Sequence, residues 1–214
     1  RSKRLVVGNL SPVVSLGPDF AAQEGDTLVI NATAFDAAGL AGLDYAWTVT
    51  DSRGSLIETS AATVFAFTPV DEGTYFVQAT VTDAGALSST DTLVLTVDNV
   101  PVTLAIHTAA THAVSASVAL TALPGQGAEI RDVMFGEEFV ISGSFTDPGQ
   151  DLWTGFVDFG DGTKRPVTVD SMNKTFTARH TYQRAGSYLA VVALDDQDGG
   201  MAAESFGVVV GVPR

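Results

Sequence analysis

Asp158-Phe159-Gly160-Asp161-Gly162 is the stretch of sequence that decides how this chain folds. It ends an apolar run, and one aspartate separates its two glycines. Glycine takes a positive φ without steric cost, and an aspartate side chain hydrogen-bonds to the backbone of a turn, so the stretch favours a tight reversal of the chain. It therefore predicts two β-strands joined by a short turn.

Two short motifs follow this turn and predict a further strand. His180-Thr181-Tyr182 and Gly186-Ser187-Tyr188 lead into the apolar residues 188–194. A tyrosine near the start of a strand is typical of the tyrosine corner of β-sandwiches. Asp71-Glu72-Gly73-Thr74-Tyr75 repeats the arrangement ahead of residues 76–81, so the chain contains the unit twice.

This combination resembles the polycystic kidney disease (PKD) domain family, Ig-like sandwiches found in tandem on cell-surface and secreted proteins. The second copy carries the motifs from residues 143–149 through the 158–162 turn to residues 195–200. The first copy lacks the Gly-Asp-Gly turn but keeps Tyr45-Ala46-Trp47-Thr48-Val49 and the tyrosine motif, so it resembles a divergent relative. The resemblance implies an all-β fold of two tandem Ig-like (PKD-type) β-sandwiches joined by a short linker.

The repeat also predicts the domain boundaries. Residues 1–9 look like the end of a preceding module or a linker, residues 10–99 a divergent PKD/Ig-like domain, and residues 100–214 a PKD domain with an insertion at about 107–128. The similar chain ends indicate an excerpt from a longer array. In the second domain we predict one continuous strand C′ at residues 165–169, and no segment has the 3.6-residue period of a helix.

Composition narrows the class of partner. The 214 residues carry a formal net charge of -14, whereas nucleic-acid or anionic-membrane binding needs clustered lysine and arginine. Residues 10–99 hold 12 acidic and one basic residue, and residues 100–214 hold 13 and seven, so the first domain is the more acidic. With no cysteine and no apolar run near the ~20 residues of a membrane span, we expect neither thiol chemistry nor membrane insertion.

The sequence gives little support to catalysis. We expect a structural hydrogen bond from His180, whereas His107 and His112 are five residues apart, a spacing that suits neither a strand face nor a helix face. Asp158 and Asp161 imitate the paired carboxylates of a glycosidase, but a tight turn explains both residues. We therefore expect that this chain is not an enzyme.

Aspartates are concentrated where two loops are expected to meet. In a sandwich of this topology, strands B and F both end at the pole where strand A begins. The BC and FG loops of the second domain carry five aspartates and those of the first domain carry two: Asp147, Asp151, Asp195, Asp196, Asp198, Asp36 and Asp83. Calcium takes roughly six to eight oxygen ligands, so clustered carboxylates at such a pole predict a Ca²⁺ site.

The family resemblance ranks these candidates. Some PKD domains bind calcium with carboxylates from these two loops plus groups at the start of strand A, which implies Asp147 and Asp195 as first choices. Asp98 leads from the first domain into the second, and a cation shared there would offset like-charge repulsion and stiffen the array. The alternative is that these aspartates only initiate turns and stay solvated.

Two functional hypotheses stay open. The first is a non-catalytic structural and interaction segment: a calcium-stiffened spacer or adhesive stalk of a secreted or cell-surface bacterial protein, whose partners are neighbouring modules, proteins or polysaccharides. The alternative is a carbohydrate- or protein-binding accessory region of a larger secreted hydrolase. Exposed aromatic rings would separate the two, and Trp153 and Phe159 are the candidates for a sugar-stacking surface.

Overall fold

A computed structural model describes residues 8–37, 39–40, 42–107 and 130–211, and these residues form strands, turns and loops. The chain divides into two compact units, one ending at Asn99 and one beginning at Val100. The all-β prediction is confirmed for the described residues, none of which belongs to a helix able to cross a membrane. The predicted insertion, apart from His107, and most of the predicted preceding module lie outside the described residues.

The first unit is built from short strands, as the alternating pattern predicts. Its strands are β1 (Val13–Ser15), β2 (Phe20–Gln23), β3 (Leu28–Asn31), β4 (Thr33–Phe35), β5 (Asp44–Asp51), β6 (Leu56–Ser60), β7 (Val64–Phe67), β8 (Gly73–Thr82) and β9 (Ser88–Asp98).

These strands form one large sheet and two strand pairs. β2, β9, β8, β5 and β6 form the five-stranded sheet in that order, while β1 pairs with β4 and β3 pairs with β7. Pairing is antiparallel except between β2 and β9. The chain leaves β1 at Gly17-Pro18, where Gly17 has a φ of 84° and proline has no amide hydrogen to continue the ladder.

Alternate side chains of the first unit face its core. On β8, Tyr75, Val77, Ala79 and Val81 are buried, whereas the residues that alternate with them face outward. Trp47 on β5 is 1% exposed, stacks on Phe65 with ring centroids 5.2 Å apart, and donates its Nε1 hydrogen to the carbonyl of Ala62 at 2.8 Å. Trp47 is therefore a core residue, as its position in the repeat indicates.

The second unit has the same kind of strand set. Its strands are β10 (Thr103–Ile106), β11 (Ile130–Met134), β12 (Phe139–Thr146), β13 (Thr154–Asp158), β14 (Lys164–Pro166), β15 (Thr168–Asp170), β16 (Thr175–His180), β17 (Gly186–Asp195) and β18 (Met201–Gly211). They form a four-stranded sheet, β10-β12-β16-β15, and a five-stranded sheet, β11-β18-β17-β13-β14.

The prediction of one continuous strand C′ at residues 165–169 is wrong. β14 pairs with β13 in the five-stranded sheet, whereas β15 pairs with β16 in the four-stranded sheet. Proline at position 166 has no amide hydrogen, and the next residue, Val167, donates its amide to the carbonyl of Gly155 at 3.1 Å. The chain therefore stays bonded to the five-stranded sheet through Val167 and crosses to the four-stranded sheet between Val167 and Thr168.

The 158–162 stretch forms the predicted turn. β13 and β14 pair antiparallel on either side of it, and the Phe159 amide donates to the carbonyl of Thr163 at 2.9 Å. Gly160 has a φ of 76°, and a Cβ atom at this position would overlap the carbonyl oxygen of Leu189. Glycine is therefore required here both by backbone conformation and by space.

Both predicted tyrosine corners are present. The hydroxyl of Tyr75 donates to the carbonyl of Asp71, and that of Tyr188 donates to the carbonyl of Arg184, each at 2.8 Å. Each bond returns to the backbone four residues upstream, which fixes the chain as it enters the following strand. The repeat seen in the sequence is therefore a repeat of hydrogen-bond geometry.

Candidate metal centre

Three buried carboxylates converge in the second unit. Asp147 and Asp151 lie in the loop after β12, and Asp196 lies in the loop after β17. One carboxylate oxygen from each falls within 4.8 Å of those of the other two, and all three residues are buried. This acidic triad joins the two loops that the sequence places at one pole.

Asp147 is held by donors from its own loop. Its Oδ1 accepts the amide of Gly149 at 2.8 Å, and its Oδ2 accepts the indole Nε1 hydrogen of Trp153 at 3.0 Å. A carboxylate bound by two donors of its own loop has a fixed orientation.

Asp196 organises the loop between β17 and β18. Its Oδ1 accepts the amides of Asp198 at 3.0 Å and Gly200 at 2.7 Å. A Cβ atom at Gly200 would overlap the Asp196 carboxylate and crowd the backbone of Pro101. The absence of a side chain at Gly200 thus makes room for the buried carboxylate.

The structure corrects the choice of Asp195 over its neighbour. On β17, Leu194 is fully buried and faces the core, so Asp195 faces the outer surface and Asp196 returns to the inner side. Asp195 accepts both the amide and the side-chain amide of Gln197 through its Oδ1. Among the described residues, neither Asp195 nor the exposed Asp198 belongs to a carboxylate group of this kind.

A lysine lies against the same loop. The Lys174 Nζ donates to the carbonyl of Gly149 at 3.0 Å and lies 3.4 Å from the centroid of the Trp153 ring. This ammonium supplies positive charge beside the loop that carries Asp147 and Asp151. The sequence analysis missed Lys174, because it lies just ahead of β16 and nothing in its local sequence links it to the triad.

In the first unit, Asp83 accepts hydrogen bonds from its own loop and from Asn9. Asp83 occupies the position of Asp196: its Oδ1 accepts the amides of Gly85 at 2.8 Å and Leu87 at 2.9 Å. Its Oδ2 accepts the side-chain amide of Asn9 at 2.7 Å. The pKa of Asp83 lies below its usual value, chiefly because the Leu87 backbone donates to it.

Asp36 and Asp98 are the other two candidates of the first unit. Asp36 is buried after β4, while Asp98 is exposed as the last residue of β9, and its carbonyl accepts the amide of Glu24 at 3.1 Å. Among the described residues, neither they nor Asp83 belong to a group of three or more side chains spaced to share an ion. In this unit it is Glu24, Asp71 and Glu72 whose carboxylate oxygens lie within 4.8 Å of one another, whereas Asp83 is organised by its turn.

The structure also corrects the prediction of a sugar-stacking surface. Trp153 is 8% exposed, and its ring is covered by Phe145, at a centroid distance of 5.3 Å, and by Lys174. Phe159 is fully buried. Both rings serve the core, because the neighbouring end residues of β13, Thr154 and Asp158, face outward and side chains alternate along the strand.

The remaining candidate catalytic residues are explained by turn chemistry. The Asp158 Oδ1 accepts the amide of Gly160, and the Asp161 Oδ1 accepts that of Thr163, both at 2.9 Å. His180 has the expected structural hydrogen bond, between its Nε2 and the Asp161 Oδ2 at 2.8 Å. Burial raises the pKa of Asp161, but hydrogen bonds from His180 and Thr163 outweigh burial, and the pKa lies below its usual value.

The two other histidines are His107 and His112. The His107 Nε2 lies 2.7 Å from the hydroxyl of Ser144 on β12. His112 lies outside the described residues.

Two sequence models of the PKD domain family match the chain. One, described as a PKD domain, matches residues 124–210, and the other, described as a K319L-like PKD domain, matches residues 17–97. No curated protein matches the sequence.

Several solved structures are similar to this chain. The PKD1 domain of Epp from Vibrio anguillarum is 24% identical with a TM-score of 0.34, over 42% of this chain and 98% of that one. The insect immune protein hemolin is 15% identical with a TM-score of 0.39, over 94% of this chain and 47% of that one. SGBP-B of Bacteroides ovatus, solved with a mixed-linkage heptasaccharide, is 11% identical with a TM-score of 0.33, over 96% of this chain and 72% of that one.

Proposed function

The chain is a tandem of two PKD domains, and on this basis we propose that it is a non-catalytic spacer or adhesive stalk of a secreted or cell-surface multidomain protein. PKD and Ig-like domains are typically non-catalytic modules of extracellular and surface proteins. Such a segment separates other domains or presents a surface to a partner, and its useful property is resistance to unfolding.

The observation that carries the proposal is the acidic triad of Asp147, Asp151 and Asp196. Three carboxylates buried within 4.8 Å of one another repel, and burial weakens the solvent screening that would relieve this repulsion. A divalent cation offsets the repulsion directly. We therefore propose that the second unit binds calcium at the triad.

The donor set fits a hard cation. Carboxylate oxygens are the ligands that calcium prefers, and its variable coordination number lets backbone carbonyls and water complete the shell. Asp196 is already fixed by the amides of Asp198 and Gly200, and Asp147 by Gly149 and Trp153, so little conformational entropy is lost on binding. When bound, the ion would supply positive charge that ties the loop after β12 to the loop after β17.

Lys174 is the competing source of positive charge. Its ammonium lies beside the Asp147 loop, where it partly balances the triad without an ion. One ammonium balances one carboxylate, whereas the triad carries three. Lys174→Met is therefore expected to strengthen calcium binding, because it removes a like charge from the neighbourhood of the cation.

The proposed mechanical role can be tested by pulling on single molecules of a concatenated chain. Each copy is expected to unfold in two events, and calcium is expected to raise the rupture force of one of them relative to EDTA, because an ion held only by the folded unit stabilises it. Asp196→Asn should remove this increase, and Asp195→Asn is the matched control that should keep it. Equal forces in calcium and EDTA for the parent chain would exclude a calcium-stiffened stalk.

A second candidate function is a polysaccharide-binding accessory region of a larger secreted protein. With Trp153 and Phe159 buried, stacking on these two rings does not support it. A polar cleft in the second unit does, because it combines arginine, histidine and side-chain amide groups on one wall.

A further inference from the structure

The cleft has a volume of about 420 Å³ and lies at the end of the second unit where β16 leads towards β17. Its wall is formed by Arg165 of β14, Arg179 and His180 of β16, and Thr181 and Gln183 of the following turn. Thr163 and Glu138 also line it, and the Glu138 carboxylate is paired with Arg179. Small-molecule sites typically occupy about 300 to 1,000 Å³, so the cleft can hold one sugar unit or a short stretch of a polysaccharide.

The cleft concentrates positive charge in an otherwise acidic chain. Of the seven basic residues in positions 100–214, five fall within residues 164–184: Lys164, Arg165, Lys174, Arg179 and Arg184. Two of them, Arg165 and Arg179, line the cleft. Arg179 forms an exposed ion pair with Glu138 at 2.5 Å. No ion pair or side-chain hydrogen bond to Arg165 occurs within the described part of the chain, so its guanidinium is available to an incoming anion.

The wall of the cleft is rigid before any ligand binds. The Nε2 of His180 is tied to the Asp161 Oδ2, and its ring stacks on Phe159 with centroids 4.2 Å apart. The ring also meets that of Tyr182 edge-on at 4.6 Å. A site fixed in this way loses little conformational entropy when it is occupied.

The acidic triad is too far away to repel an anion from the cleft. The ten residues of β17 separate the cleft turn from the loop of Asp196. At about 3.3 Å per residue this strand spans roughly 30 Å, whereas the screening length at physiological salt is about 8 Å. The net charge of the chain therefore does not prevent anion binding at this end.

We propose that this cleft binds a carboxylate-bearing sugar, a uronic acid unit of an anionic polysaccharide. The planar guanidinium of Arg165 matches a carboxylate with two parallel hydrogen bonds. The Thr181 hydroxyl and the Gln183 side-chain amide lie on the same wall and offer donors and acceptors to sugar hydroxyls. The inference rests on the interaction role in the proposed function, but it uses none of the proposed calcium ligands.

The test measures binding of the whole chain to polygalacturonate and to its methyl ester in EDTA, so that calcium neither loads the triad nor cross-links the polymer. Binding of polygalacturonate is expected to exceed that of the ester about tenfold, because esterification removes the anion that Arg165 recognises. Arg165→Gln should lose about the same factor. Arg184→Gln removes the same charge from the same end of the unit and should change binding by no more than about twofold.

Several results would overturn the inference. If Arg165→Gln and Arg184→Gln lost polygalacturonate binding equally, net charge alone would explain the loss. If polygalacturonate and its methyl ester bound equally well, carboxylate recognition would be excluded. Stronger binding of dextran sulfate or of an acidic peptide than of polygalacturonate would assign the cleft to another ligand class. Asp196→Asn should keep full binding, so failure of the calcium proposal and failure of this one are separable.

Discussion

The indole Nε1 of Trp153 donates a hydrogen bond of 3.0 Å to the Oδ2 of Asp147, six residues earlier in the chain. The ring of Trp153 is part of the hydrophobic core of the second unit, while the carboxylate of Asp147 belongs to the acidic triad. This single contact therefore connects the packing of the core to the orientation of a proposed calcium ligand.

Trp153→Phe should weaken both properties. The substitution leaves the Asp147 Oδ2 without this donor inside the protein, which is expected to cost about 1 to 3 kcal/mol in the free energy of unfolding, and it loosens the carboxylate. Urea denaturation in EDTA and in calcium measures both effects. Trp47→Phe is the control: it removes the bond to the Ala62 carbonyl in the first unit and should not alter the calcium response. An unchanged calcium response in Trp153→Phe would contradict the coupling.

Gly160→Ala and Gly162→Ala form a matched pair in the turn. Both glycines have positive φ, 76° and 90°, but only at Gly160 would a Cβ atom overlap the Leu189 carbonyl. Gly162→Ala should cost about 1 to 2 kcal/mol from backbone conformation alone. Gly160→Ala should cost at least about 3 kcal/mol, because a backbone atom must also move. Equal losses in chemical denaturation would show that the close approach to Leu189 is unimportant.

Tyr75→Phe and Tyr188→Phe each remove one tyrosine-corner bond and leave the ring in place. Each substitution is expected to lower the free energy of unfolding of its own unit by about 1 kcal/mol. Chemical denaturation followed by residue-resolved NMR would assign each loss to one unit. If Tyr75→Phe destabilised the second unit instead, the two units would not unfold as separate bodies.

Asp161 should give the second unit a specific dependence on acid. Its folded-state pKa lies below the usual value, so its contribution to stability is complete above the unfolded pKa, near 4, and is lost as the pH falls through the folded pKa. Asp161→Asn should therefore cost stability at pH 7 and cost progressively less below about pH 4. Thermal melts of parent and variant across this range measure the difference. A stability difference between the parent and Asp161→Asn that stays constant down to about pH 2 would contradict this role of Asp161.

Much of this fold could be predicted from the sequence, because its main signals are local. A Gly-Asp-Gly turn and a tyrosine before a strand depend on φ angles and on one hydrogen bond, and both can be recognised in a few residues. The break of the predicted strand between Val167 and Thr168 could not, because whether residues 165–169 stay in one sheet depends on which neighbouring strand offers hydrogen-bond partners on each side of the break.

The site could be predicted only in part. The convergence of the BC and FG loops follows from topology, and it correctly placed Asp147, Asp151 and Asp196 in adjacent loops. The choice between Asp195 and Asp196 could not be made from the loop alone, because the pleat of β17 continues to its last residue, alternates the two side chains and brings Asp196 to the triad. Trp153 was misplaced because an aromatic ring just before a strand gives no indication of whether it turns towards solvent or core.

The most direct test of the calcium-binding account is a thermal melt of the whole chain in EDTA and in millimolar calcium, with Asp196→Asn and Asp195→Asn alongside. These substitutions remove one negative charge each at neighbouring positions, and only Asp196 belongs to the triad. The account predicts that calcium raises the midpoint of the parent and of Asp195→Asn by several degrees and leaves that of Asp196→Asn unchanged, because an ion bound only to the folded state stabilises it. Superimposed curves for the parent, or an undiminished rise in Asp196→Asn, would contradict it.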